Sequence, residues 1–368
     1  MKKGRKSNVA KEEKRIAWID VMKALLIILM VMGHTGSPFL IYIYLFHMSA
    51  FFVISGYTFQ GEKYSVGAYI RKKFLTILLP AYAVNLVYTV FYWLMQRAGV
   101  YALVQTTEPI SLKDRVLGLF LRYQTTDLGG ATWFLLVLFE VEVLFRLYAW
   151  LAEKLGTQKV LWVLAAASGA ASYALKLHNT TTLPYMLDLA LMGCLYFGIG
   201  VFLARTNVRQ LLFRGCYVLI PVCVILTYYF GHIYFRGRLP MNWPSRNFKN
   251  VFLQLTAAFG PAYLTGLVSM GLAKTRLCDA LSWLGRRTYC VVVFHFAALR
   301  LVYAAGVALG GFPREQLAQL TPMGELTAHG GWIFFAASAL LLSSLMSWLS
   351  CHCRVTDFIW NGKISRKI

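Results

Sequence analysis

Two histidines and one lysine are the residues of this chain best suited to chemistry. Lys23 and His34 stand eleven positions apart inside one apolar run. On a helix, eleven residues amount to three turns plus about 20°, so both side chains share one stripe, roughly 16 Å apart along the axis. The stripe reads Lys23, Ile27, Met30, His34, with Asp20 below Lys23. A short turn containing Gly36 and Pro38 precedes the next apolar run, which makes the two helices neighbours and returns His47 to the depth of His34. A neutral imidazole is available at physiological pH. It can act as general base toward a hydroxyl or as a transient acyl carrier, the two ways a protein group assists acyl transfer. Neither a G-x-S-x-G elbow nor an S-x-x-K pair offers a serine nucleophile instead.

The elements that must position these residues are membrane helices. Of 368 residues, 58% are hydrophobic and 14% charged, against about 25% charged in soluble domains. The apolar residues come in blocks of roughly 17 to 24, the length that crosses about 30 Å of hydrocarbon, and lack the alternation of a β-barrel. The sequence predicts an all-α, polytopic integral membrane helix bundle of ten spans, near 16–34, 38–59, 74–96, 131–151, 160–176, 184–204, 214–232, 250–273, 287–308 and 331–351. Residues 16–352 form one transmembrane domain between basic tails at 1–15 and 353–368, and the first span is retained rather than cleaved as a signal peptide.

The net charge of +22 comes from short basic clusters between spans, which excludes a nucleic-acid surface and fits cytoplasmic loops. Counting Lys and Arg puts both termini in the cytoplasm. The long connections 97–130, 233–249 and 309–330 then lie outside, where Trp133, Asn242 and Trp243, near Arg236, Arg238 and Arg246, are candidates to grip a substrate. The seven cysteines lie mostly within apolar blocks and suggest packing, with no disulfide framework and no metal site expected from Cys351, His352 and Cys353.

An ionisable group within a span costs about 2.5–3.5 kcal/mol on insertion scales, so each needs a reason. Asp20 and Lys23 can neutralise one another at three-residue spacing. Glu142 and Arg146 are expected to pair structurally at i, i+4. Arg71, Lys72 and Lys73 can hold anionic phosphates or simply supply inward positive charge. His295, inside the ninth span, fits packing and function equally.

Three segments, Ile19-Asp20-Val21-Met22-Lys23, Val31-Met32-Gly33-His34 and Phe46-His47-Met48-Ser49-Ala50-Phe51-Phe52-Val53-Ile54-Ser55-Gly56-Tyr57, resemble the opening of the membrane acyltransferase-3 family, nearest its fucose 4-O-acetylase-like acetyltransferases. Lys23 to His34 fits the family's Arg/Lys-x10-His motif. Arg71-Lys72-Lys73 before Leu79-Pro80, Thr132-Trp133-Phe134-Leu135 and Trp283-Leu284-Gly285-Arg286-Arg287-Thr288-Tyr289 with His295 extend the likeness over nearly the whole chain. Ser49 departs from the usual proline and implies a change in helix shape there. The resemblance implies a cell-membrane (plasma or inner) O-acyltransferase with acetyl-CoA, or another acyl-CoA, as cytoplasmic donor and a glycan or lipid-linked sugar as acceptor. His34, His47, Lys23 and Asp20 are then expected at the reaction; Lys23, Arg71, Lys72 and Lys73 at the coenzyme; and Trp133, Asn242, Trp243 and Ser55 at the substrate. A transporter or flippase is the rival reading, disfavoured by the lack of duplicated half-repeats.

Overall fold

The computed structural model describes residues 16–105, 107–178, 183–246, 250–350 and 352–361. The basic stretch 1–15, the last residues of the C-terminal tail and Cys351 lie outside the described residues. Within them the chain is helical, without a sheet. The helices are α1 Ala17–Gly33, α2 Leu40–Tyr44, α3 His47–Tyr57, α4 Val66–Lys73, α5 Leu79–Arg97, α6 Tyr101–Val104, α7 Leu112–Arg122, α8 Trp133–Lys154 and α9 Lys159–His178. There follow α10 Leu187–Arg205, α11 Val208–Arg214, α12 Cys216–Tyr228, α13 Val251–Leu272, α14 Cys278–Gly285, α15 Thr288–Ala308, α16 Gly324–Thr327, α17 Gly331–Ser350 and α18 Arg354–Asn361. Among the described residues, nine helical stretches are long and apolar enough to cross a membrane. At 17 residues, α1 meets the lower limit for spanning and, counted with them, matches the expected ten.

Three segments differ in shape from the sequence expectation. The second span breaks between α2 and α3, where Phe46 leaves helical geometry at φ −148°, so His47 opens a new helix. Ser49 falls in the first turn of α3, where proline is tolerated, and the helix there is regular. The third span starts earlier than residue 74: α4 and α5 are joined by a π-helical stretch, Phe74–Leu78. Pro80 explains it, because a proline ring collides with the carbonyl four residues before it, here that of Thr76, and a wider turn relieves the clash. Arg71, Lys72 and Lys73 therefore ride on a helix that continues into the bundle. The connection 97–130 carries α6, α7 and a 3₁₀ turn at Asp127–Thr132 in place of an open loop.

Helix α1 is surrounded. It packs against α3, α13, α14, α15 and α17, with Val21, Ala24, Leu26, Ile27 and Val31 inaccessible to solvent. By contrast α12 leaves Tyr217, Val218 and Ile225 exposed, the apolar surface that a lipid-facing helix presents. Small residues let the inner helices close up: a Cβ on Gly56 of α3 would strike the Phe197 carbonyl of α10, and one on Gly200 of α10 would strike the Val53 carbonyl of α3. Such contacts are what small residues provide between helices in lipid, where no hydrophobic effect drives association. Gly200→Val is expected to push α3 from α10 and destabilise the protein by about 1–3 kcal/mol, the usual cost of overpacking. A lowered melting midpoint of the detergent-solubilised protein checks this, and a parental midpoint would refute the close approach.

Candidate active site

Three cavities run end to end beside the polar stripe of α1. The first, about 550 Å³, opens where α1 begins and is lined by Asp20, Lys23, Ser55, Tyr57, Lys72 and Lys73 among others. The second, about 270 Å³, shares Lys23, Ser55, Lys73 and Glu142 with the first and shares Phe51, Phe134 and Val292 with the third. The third, about 300 Å³, is lined by His34, His47, Trp133, Asn242 and Trp243. Ile27 and Met30 also line it, so the whole stripe from Lys23 to His34 faces the cavities rather than lipid.

Charge concentrates at the first cavity. The Asp20 carboxylate lies 3.9 Å from the Arg286 guanidinium, brought there because α14 packs so closely on α1 that Gly285 leaves no room for a Cβ over the Asp20 carbonyl. Glu142 does not pair with Arg146 as expected. Helix α4 packs on α8 and delivers two donors to that carboxylate: the Lys73 ammonium at 2.5 Å and the Tyr69 hydroxyl. Arg146 turns instead to Glu153 at 3.3 Å and to the Tyr64 carbonyl at 3.0 Å. The i, i+4 spacing on one helix lost to a neighbouring helix that supplies a lysine and a tyrosine to the same face. Lys72 donates to the Tyr64 hydroxyl at 2.9 Å. Arg71 is exposed and lines none of the three cavities. Ser55, expected at the substrate, stands beside Lys23 and apart from Trp133, Asn242 and Trp243.

Two imidazoles, His34 and His47, line the third cavity, and a third, His295, is buried beside His34. His34 closes α1 as its C-cap, with its N–H donating to the Val31 carbonyl at 2.9 Å. Gly36, at φ +72°, makes the turn that returns the chain, a conformation glycine adopts without strain. His47 is buried at the start of α3, where its Nδ1–H donates to the Ile43 carbonyl at 2.8 Å and its ring rests 5.1 Å from that of Tyr44. A carbonyl only accepts, so in the neutral ring Nε2 of His47 keeps its lone pair. His295 of α15, which the sequence divides equally between packing and function, lies with its ring centroid 5.3 Å from that of His34. Phe296 packs on both, at 4.9 Å and 4.2 Å. Sequence spacing carries no signal for this pairing, because more than 250 positions separate the two residues and only the crossing of α1 and α15 joins them; the Trp283-to-His295 motif was the available hint.

The wall opposite is built from two tied segments. Asn85 of α5 donates to the Thr132 hydroxyl at 2.8 Å, and Thr132 donates to the Gly129 carbonyl at 2.7 Å. Those bonds fix the turn that starts α8 and holds Gly130, Ala131 and Trp133 at the cavity. The described part of the next connection, residues 233–246, folds inward rather than lying open. Trp243 is only 2% exposed, set against Phe52 at 5.0 Å, Tyr196 at 5.9 Å and Trp133 at 6.5 Å, nearly parallel to the last. Trp243 is thus wall more than platform. Arg246 anchors the segment through a buried ion pair with Asp188 at 2.5 Å, and Ser49 donates to the Met241 thioether at 3.7 Å. Asn242 is half-buried beside them.

Among the described residues no group of three His, Cys, Asp or Glu side chains is arranged to hold a metal ion. Residues 16–348 match the acyltransferase domain family. Nodulation protein NolL of Mesorhizobium japonicum (strain LMG 29417 / CECT 9101 / MAFF 303099) is 27% identical over 216 residues, which covers 53% of this chain and 51% of that protein. The chain therefore spans about half the length of that relative. No solved structure matches. With the family match covering nearly its whole length, and with nine helical stretches among the described residues long and apolar enough to cross a membrane, the chain belongs to the acyltransferase-3 family.

Proposed function

We propose that the protein moves an acetyl group from acetyl-CoA in the cytoplasm to a hydroxyl of an extracytoplasmic glycan or lipid-linked sugar, in the plasma or inner membrane. The observation that carries this reading is the run of cavities along α1, with a basic chamber at Lys23 and an imidazole-lined one at His34. The excess of Lys and Arg on one side supports a cytoplasmic N-terminus, with the tails 1–15 and 353–368 on that side and 16–352 as the catalytic domain.

In this scheme Lys72 and Lys73 hold coenzyme phosphates at the chamber mouth, while Arg71 adds attraction from the exposed face. The pantetheine arm, long and thin, runs past Lys23 and Ser55 toward His34. Lys23 positions the arm and keeps Asp20 ionised. His34 takes the proton of the acceptor hydroxyl as its oxygen forms a bond to the thioester carbonyl carbon. The C–S bond then breaks, and His34 returns the proton to the departing thiolate. The alternative course puts the acyl group briefly on the imidazole before the hydroxyl receives it. His47 helps to orient His34 or exchanges roles with it. Trp133 and Asn242 contact the sugar, backed by Trp243.

A run of cavities also suits a transporter, and release of free coenzyme from labelled acetyl-CoA separates the two, since only an acyltransferase breaks the thioester. His34→Ala is expected to lower acetylation by roughly 10²-fold or more in a protein that still inserts and folds. Retained turnover in that variant would overturn the assignment. Lys23→Ala is expected to raise the acetyl-CoA concentration needed for half-maximal rate; an unchanged donor dependence would make Lys23 purely structural.

A further inference from the structure

Resting on the acyl-transfer reading above, the geometry points to His295 as the positioning residue that decides which nitrogen of His34 acts as base. His295 is fully buried in the middle of α15. Its Nδ1–H donates within its own helix to the carbonyls of Val291 at 2.9 Å and Val292 at 3.1 Å. Carbonyls only accept, so Nδ1 carries the hydrogen and Nε2 of the neutral ring carries a lone pair. That Nε2 is buried with no hydrogen-bond partner among the described residues. Leaving such an acceptor unsatisfied is unfavourable, and buried polar atoms in proteins normally have partners.

The titratable ring beside it is that of His34, 5.3 Å between centroids and inclined by 31°. Phe296 lies against both rings and closes the pair on one side. A His34 N–H directed at Nε2 of His295 satisfies the orphaned acceptor and fixes the His34 tautomer. The second His34 nitrogen then turns its lone pair to the cavity that His34 lines. When His34 accepts the hydroxyl proton, its N–H to His295 becomes a charge-assisted hydrogen bond, which is about twice as strong as a neutral one. The pair is therefore worth more during the reaction than before it, and its effect falls on the rate rather than on donor binding. His47 carries a backbone tether of the same kind, but its ring packs on Tyr44, whereas the ring of His295 packs on that of His34.

The test supplies labelled acetyl-CoA to membrane vesicles of the native host carrying the full-length chain, and reads both coenzyme release and label in the acceptor fraction. His295→Leu removes the acceptor atom at similar bulk, whereas His295→Gln places an amide oxygen near the position of Nε2. His295→Leu is expected to lose maximal rate by roughly 10²-fold with little change in the acetyl-CoA KM, and His295→Gln to recover most of that rate. A parental rate in His295→Leu, or a loss in His295→Gln equal to that in His295→Leu, would overturn the assignment. Should His295→Leu fail to insert, His295→Asn takes its place, since its amide reaches the Nδ1 position and stops short of Nε2. Equal rates in His295→Asn and His295→Gln then count against the proposal, and a rate retained only by His295→Gln counts for it. A parent chain with no turnover sinks the acyl-transfer reading and this assignment together; an active parent indifferent to His295 sinks this assignment alone.

Discussion

Hydrocarbon solvates charge poorly, and the placement of α1 answers to that constraint. A lysine and an aspartate on one 17-residue helix, with a histidine at its C-cap, are costly if left in lipid, about 2.5–3.5 kcal/mol for each charged group. The bundle avoids this by enclosing α1 within α3, α13, α14, α15 and α17 and turning the polar stripe onto internal cavities. Helix α1 is apolar on its remaining faces, the pattern of a helix buried all round. Its central position is thus a consequence of its chemistry.

Other features support that enclosure. Gly285 lets α14 approach until Arg286 stands near Asp20. The π-helical stretch ahead of Pro80 joins α4 to α5, and α4 packs on α8 so that Lys73 and Tyr69 meet Glu142. Satisfying the Glu142 carboxylate with two donors keeps a buried charge tolerable, and it does so at the wall shared by the first two cavities. At the far end the Arg246–Asp188 pair draws an inter-span connection into the bundle, which places Trp243 in the lining of the third cavity and gives that cavity a wall independent of the helices that carry His34 and His47.

Much of this was legible in the sequence because hydropathy and helix periodicity are local. Span positions follow from apolar blocks, and the Lys23–His34 stripe follows from eleven residues at about 100° each. His47 at the same cavity followed from the short Gly36–Pro38 turn. What stayed hidden was decided between distant segments. Glu142 found Lys73 and Tyr69 in place of Arg146, the break at Phe46 has no proline or glycine to announce it, and His295 meets His34 only where α15 crosses α1. Ser55 was assigned by motif to the substrate, yet its helical phase sets it by Lys23. Trp243 reads as an interfacial tryptophan in sequence and is a buried wall in the fold.

The account rests on the ring of residue 34 facing a cavity continuous with the basic chamber. Thiol labelling measures this directly. His34→Cys, in a chain whose own cysteines have been replaced, is exposed to a small water-soluble methanethiosulfonate reagent with and without coenzyme A. Prompt modification that coenzyme A slows is the predicted result. A thiol at position 34 inert to the reagent, or one modified at the same rate whether or not coenzyme A is present, would contradict it.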